Sequence, residues 1–127
     1  MPYDVKVDDE RGIIFLLANG QFTSEDLLTS LHEIVERDDY IYGGSFLVDL
    51  RKVEQYDPNL TDMHRRLKKD LGVLDFLGGV KIGMIASDAY IHGMIKMYEM
   101  LMKNSSCDVK TFRDISAARK WLGLPEE

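Results

Sequence analysis

The chain has 127 residues, an ordinary size for one domain around one core, and its 45% hydrophobic and 30% charged residues indicate neither a disordered chain nor a disulfide scaffold. Sixteen basic against 22 acidic residues leave a net charge of −6, which repels a phosphate backbone, so nucleic acid is not an expected partner. The lone cysteine, Cys107, has no internal disulfide partner, no apolar run reaches membrane-spanning length and the first residues show no signal-peptide pattern, so one cytoplasmic domain over residues 1–127 without a transmembrane segment is expected.

Tyr3, Val5 and Val7 alternate with Asp4, Lys6 and Asp8, the period of a strand with one wet face, hence an edge strand. A turn ending at Gly12 leads into residues 13–18, apolar without a break, so the first two strands form a hairpin and the second is buried on both faces. Thr23 or Ser24 caps a helix with Leu27, Leu28, Leu31, Ile34 and Val35 on one side, ending near Asp39. Gly43 and Gly44 precede a third strand over residues 46–50. Asp57, Pro58 and Asn59 then punctuate the chain before a helix marked by Leu60, Met63, Leu67, Leu71 and Leu74.

Gly78 and Gly79 end that helix, residues 80–86 form a fourth strand, and Ser87 or Asp88 caps a helix running to about Lys103. Residues 108–113 alternate again, as the opposite edge should, and Asp114 caps a closing helix through Leu122. Strands separated by helices of this length run parallel with right-handed crossovers. The expected fold is α/β, with a five-stranded mixed sheet in sequential order 1-2-3-4-5, strand 1 antiparallel and strands 2 to 5 parallel. Alternation in the first and last strands, against continuous apolar runs between them, is what that order requires.

The stretch Leu47-Val-Asp-Leu-Arg-Lys-Val-Glu-Gln-Tyr-Asp57 resembles the third-strand signature of STAS domains. Residues 82–88, Met97-Tyr98-Glu99 and residues 109–122 are similar to the SpoIIAA-like STAS proteins, whose fold is related to CRAL-TRIO lipid-binding domains. The resemblance covers nearly the whole chain and implies a SpoIIAA-like fold. It also implies a non-enzymatic regulatory or protein-binding module or, alternatively, a carrier or sensor of a lipid or other apolar small molecule. In the sigma-regulating members the aspartate matching Asp57 is followed by serines, one of them phosphorylated. Here Pro58 and Asn59 follow, neither has a hydroxyl, and Thr61 falls off the family position, so the phospho-switch is not expected although a partner surface at that loop is.

Open α/β sheets place ligands beyond the carboxyl ends of their parallel strands. Asn19, Thr23, Asp49, Arg51, Ser87, Asp88 and Tyr90 fall there, and with Asp57 and Asn59 they are the expected ligand- or partner-binding residues. Thr23, Ser87 and Asp88 are equally explained as helix caps, and Asp49 with Arg51 as a surface ion pair. No nucleophile and base pair up, the paired glycines precede strands rather than helices, and His32 with Glu36 makes an incomplete metal site, so no catalytic residue, cofactor or metal is expected. The basic residues His64, Arg65, Arg66, Lys68 and Lys69 read as the solvated face of the second helix.

A homodimer is expected from two surpluses of apolar residues. Right-handed crossovers put the connecting helices on one face of the sheet, yet the second and fourth strands are apolar on both, and one short closing helix covers only part of the other face. The helix after Asp88 spreads Tyr90, Ile91, Met94, Ile95, Met97, Tyr98, Leu101 and Met102 over roughly 160° of its circumference, wider than one core needs. Tyr90, Gly93, Met97 and Met100 are the expected contacts between subunits.

Overall fold

The computed structural model describes residues 2–58 and 63–125; Asn59, Leu60 and Thr61 lie outside the described residues. Five strands form one sheet in the order β1-β2-β3-β4-β5: β1 (Tyr3–Asp8), β2 (Ile13–Thr23), β3 (Ser45–Asp57), β4 (Lys81–Ile85) and β5 (Asp108–Phe112). β1 runs antiparallel to β2, and every later pair is parallel, as expected. The helices are α1 (Ser24–Val35), α2 (Met63–Leu77), α3 (Ala89–Leu101) and α4 (Ile115–Trp121).

β2 and β3 outrun their expected ends, at Ala18 and Leu50, and form a ribbon extending past β4 to the Thr23–Asp57 pair. The reason is irregular register. The pairing steps from Leu17–Asp49 to Asn19–Lys52 and from Gly20–Val53 to Gln21–Gln55, so β3 carries an extra residue at each of two bulges. Leu50, Val53 and Tyr56 are all buried at intervals of three, which two-residue alternation cannot produce. Gly20 takes φ +60° within this irregular stretch, a conformation that glycine adopts without strain.

The sheet separates two apolar layers. On one face Ile14, Leu16, Phe46, Val48, Ile82 and Met84 pack with Leu31 and Ile34 of α1, Leu74 of α2 and Ile95 of α3, forming the main core. On the other, Leu47, Ile85 and Phe112 meet Ala118 and Trp121 of α4. Gly83 makes that docking close: a β-carbon there would stand 3.5 Å from Leu122 and 3.6 Å from Phe112 and Trp121. The covered part of this face lies over β4 and β5. Towards β1, Phe15 and Leu17 stay half-buried and pair across with Lys6 and Asp4, both exposed. The second face is thus finished partly by a helix and partly by charged edge residues.

Candidate functional site

The expected site residues fall into two groups at different heights. Asp49 pairs in register with Ile85, the last residue of β4, so it stands beside the turn holding Ser87 and Asp88. Thr23 and Asp57 pair at the far tip of the β2–β3 ribbon, eight residues beyond Asp49, or up to roughly 26 Å along an extended strand. The extension of β3 past β4 thus splits the constellation. Asn59 lies outside the described residues.

At the carboxyl end of β3, Asp49 folds back on its own strand. One of its oxygens accepts from the Arg51 backbone N–H at 3.0 Å and from Nε at 2.9 Å, and the other accepts from Nη2 at 2.7 Å. Arg51 stays exposed and contributes, with Asn19, Gly20, Lys52, Val53 and Glu54, to an open depression of about 550 Å³ at the bulges. Across the strand ends, Arg113 donates to the Ser87 carbonyl at 3.0 Å. Burial lowers the pKa of His92, in the first turn of α3, and the charges of Arg113 and Lys96 lower it further, favouring a neutral imidazole.

Three of the polar groups at the strand ends are committed to helix ends. Thr23 and Asp26 form a reciprocal capping box: the Thr23 hydroxyl accepts from the Asp26 N–H at 3.0 Å and Asp26 accepts from the Thr23 N–H at 2.9 Å. Asp88 accepts from the Ile91 N–H and Asp114 from the Ala117 N–H, both at 2.9 Å. These side chains meet donors that each helix start leaves unpaired. Asp57 and Tyr90 are exposed, Tyr90 by 62%.

The structure also presents a groove that the sequence reading did not anticipate. His32 and Val35 of α1 and Lys69, Gly72, Val73 and Phe76 of α2 line an apolar cleft of about 430 Å³, within the range of small-molecule sites. The lining runs from the middle of α2 to its last turn and along the last turn of α1. Since each helix returns antiparallel to the strands it connects, the cleft sits towards the amino ends of the parallel strands, opposite the expected end. Beside it, Phe76 meets the exposed Tyr42 ring at 6.4 Å between centroids, and Tyr42 meets Tyr40 at 5.2 Å. Two tyrosines ahead of β3 and an apolar Phe76 at the outward end of α2 were the only cues in the sequence.

Cys107 is buried, its thiol donating to the Leu74 carbonyl at 3.1 Å, and burial pushes its pKa up, so it stays protonated at neutral pH. Among the described residues no three His, Cys, Asp or Glu side chains cluster as metal ligands do, and no helix is long and apolar enough to cross a membrane.

A solved structure of an uncharacterised DUF3478-family protein from Shewanella loihica PV-4, described as having a SpoIIAA-like fold, matches with a TM-score of 0.53. The match covers 94% of this chain and 91% of that one, at 17% sequence identity. The fold is SpoIIAA-like. No protein-family model matches the chain, and no curated protein matches its sequence. At that identity the likeness concerns the fold and leaves function to be argued from the site.

Proposed function

We propose that the chain is a non-enzymatic protein-binding module of STAS type, working without a phospho-switch, whose partner contacts Arg51, Asp57 and the residues that follow Asp57. The observation that carries this reading is how the polar groups at the strand ends are used. Asp88 and Asp114 spend their carboxylates on helix starts, and Asp49 fixes the exposed Arg51 in place on the β2–β3 ribbon, whose tip carries the exposed Asp57. Rigid elements presenting exposed polar groups suit recognition. Pro58, directly after Asp57, offers no hydroxyl to a kinase. In affinity capture, Arg51→Ala and Asp57→Ala each weaken retention of one specific partner by about tenfold or more, while Asp108→Ala, exposed at the amino end of the edge strand β5, leaves it unchanged. Stoichiometric phosphate on Thr61 in cells would restore the switch, and robust turnover of a hydrolase or reductase substrate, abolished by Asp49→Asn, would replace the reading with an enzyme.

A second reading, a carrier or sensor of an apolar small molecule, is favoured by the α1–α2 cleft. At ~30 Å³ per heavy atom, its volume has room for roughly 14 such atoms. Native mass spectrometry of the protein purified from cells discriminates the two. A retained small-molecule mass that disappears in Val73→Trp, which fills the cleft, supports the carrier; a bare polypeptide mass supports the protein-binding module.

A further inference from the structure

The outward side of α3 poses a question that the core does not answer. Ile91, Ile95 and Met102 are buried beneath the helix, and its charged groups lie to one flank, where Glu99 reaches Thr111 and Lys96 reaches Glu99. The remaining arc, about 120° wide at 3.6 residues per turn, carries Ala89, Tyr90, Gly93, Met97, Met100 and Leu101, all exposed. Met100 is 68% exposed and Tyr90 62%. A helix apolar nearly all round belongs in an interior, and this one has solvent on its outer side.

Gly93 stands at the middle of that arc. Its φ is not positive, and a β-carbon built there meets nothing within 4 Å, so neither backbone conformation nor a close neighbour in the protomer requires glycine. Glycine is nonetheless among the poorest helix formers. It leaves a notch in the surface, one turn from the protruding Met97.

We infer that α3 packs antiparallel against α3 of a second copy of this chain, about a two-fold axis at the level of Ile95. Such an axis seats each Met97 in the partner's Gly93 notch, and each Tyr90 over the partner's Met100. Knob and notch are equally far from the axis, so one contact made twice completes the interface, the self-complementarity an isologous dimer needs. The ends agree. Antiparallel packing sets the unlike dipole ends of the two helices together, whereas parallel packing would set like against like. Methionine adapts to such a socket through its three flexible torsions. Edge pairing through the middle of β5 is closed, because Glu99 already occupies the outward Thr111 N–H.

Sedimentation equilibrium of the full chain at micromolar concentration tests the inference. The expected mass is twice 14.6 kDa. Met97→Glu weakens association by about a hundredfold or more and gives a monomer with an unchanged circular dichroism spectrum. Gly93→Leu, which fills the notch, weakens it by about tenfold or more, and the double variant Gly93→Leu with Met97→Ala restores it to within about threefold. A wild-type monomer overturns the inference. So does a dimer that survives Met97→Glu, the result expected if the exposed Tyr42–Phe76 patch joins the copies. A dimer that yields to Met97→Glu but is indifferent to Gly93→Leu overturns the antiparallel register.

Discussion

Glu99 of α3 closes the outer edge of β5 by accepting two hydrogen bonds from Thr111, one from the backbone N–H at 2.7 Å and one from the hydroxyl at 3.0 Å. The Asp108 N–H turns inward to Val80, and the Phe112 carbonyl turns inward to Ala86. Strand alternation then sends the Thr111 N–H outward, where an unpaired amide would template pairing with another chain. Lys96 holds the second carboxylate oxygen at 3.1 Å. Burial works against the charge, but the hydrogen bonds from Lys96 and Thr111 outweigh it and hold the carboxyl below its ordinary pKa.

Glu99→Ala is therefore expected to destabilise the fold by about 1.5–3 kcal/mol at neutral pH. Because the folded pKa is depressed, this contribution is full above the unfolded carboxyl value and is lost as pH falls through the folded one. Urea midpoints for the two proteins should converge on acidification. A difference that persists unchanged into strong acid would show that the effect is packing alone.

Tyr3 and Glu33 make a second pH-dependent pair, at the other edge of the sheet. The Tyr3 hydroxyl donates to Glu33, and its ring meets Phe22 edge-on at 6.5 Å. Burial first, then the hydrogen bond and charge of Glu33, raise its pKa to about 12. The neutral phenol is the favoured folded form, so its contribution is full below pH ~10, the unfolded value, and is lost between about 10 and 12. Tyr3→Phe should be less stable at neutral pH and lose less than wild type over that alkaline window, by roughly 2–3 kcal/mol. Parallel alkaline unfolding curves would exclude the assignment.

The sheet order was legible because burial leaves a mark on each strand. Tyr3, Val5 and Val7 alternate with charges at the edge, whereas Ile13 to Leu17 does not alternate at all and β4 runs out in the unbroken apolar stretch Met84, Ile85 and Ala86. The ends of β2 and β3 were illegible for an equally physical reason: two bulges replace the spacing of two with the interval of three from Leu50 to Tyr56. The continuation of β3 beyond β4 also separates Asp49 from Asp57, so a site assembled from strand ends came apart into two. The apolar cleft went unread because Val35 and Phe76 lie far apart in sequence, and Lys69 beside Gly72 looks like any solvated helix face. Residues at helix starts were ambiguous in principle, since Thr23 and Asp88 have the chemistry both of caps and of ligand contacts.

Gly83 offers a test of the second layer. Its missing side chain lets α4 approach β4, yet a β-carbon would sit at ordinary contact distance from Leu122, Phe112 and Trp121. Gly83→Ala should therefore be neutral or slightly stabilising in thermal melts, since it lowers the unfolded chain's freedom without a clash. Gly83→Leu overpacks the same place and should cost about 1–3 kcal/mol. Equal tolerance of both would mean that α4 docks loosely, contrary to the buried Ala118 beneath it.

Thr23 separates a capping role from a binding role. Its hydroxyl and the Asp26 carboxylate satisfy each other's backbone N–H groups, and the N–H of residue 26 has no partner within the helix. Thr23→Ala should cost about 1 kcal/mol, while Thr23→Ser, which keeps the oxygen, should restore nearly all of it. The double variant with Asp26→Ala should cost less than the sum of the two single changes, because each removes part of the same box. Chemical denaturation measures these differences directly, and affinity capture run on the same variants reads binding. Once each variant is confirmed folded, a cap leaves partner retention unchanged across the set. Loss of capture in Thr23→Ser, at wild-type stability, would instead place Thr23 in the contact surface beside Asp57, its neighbour across the ribbon.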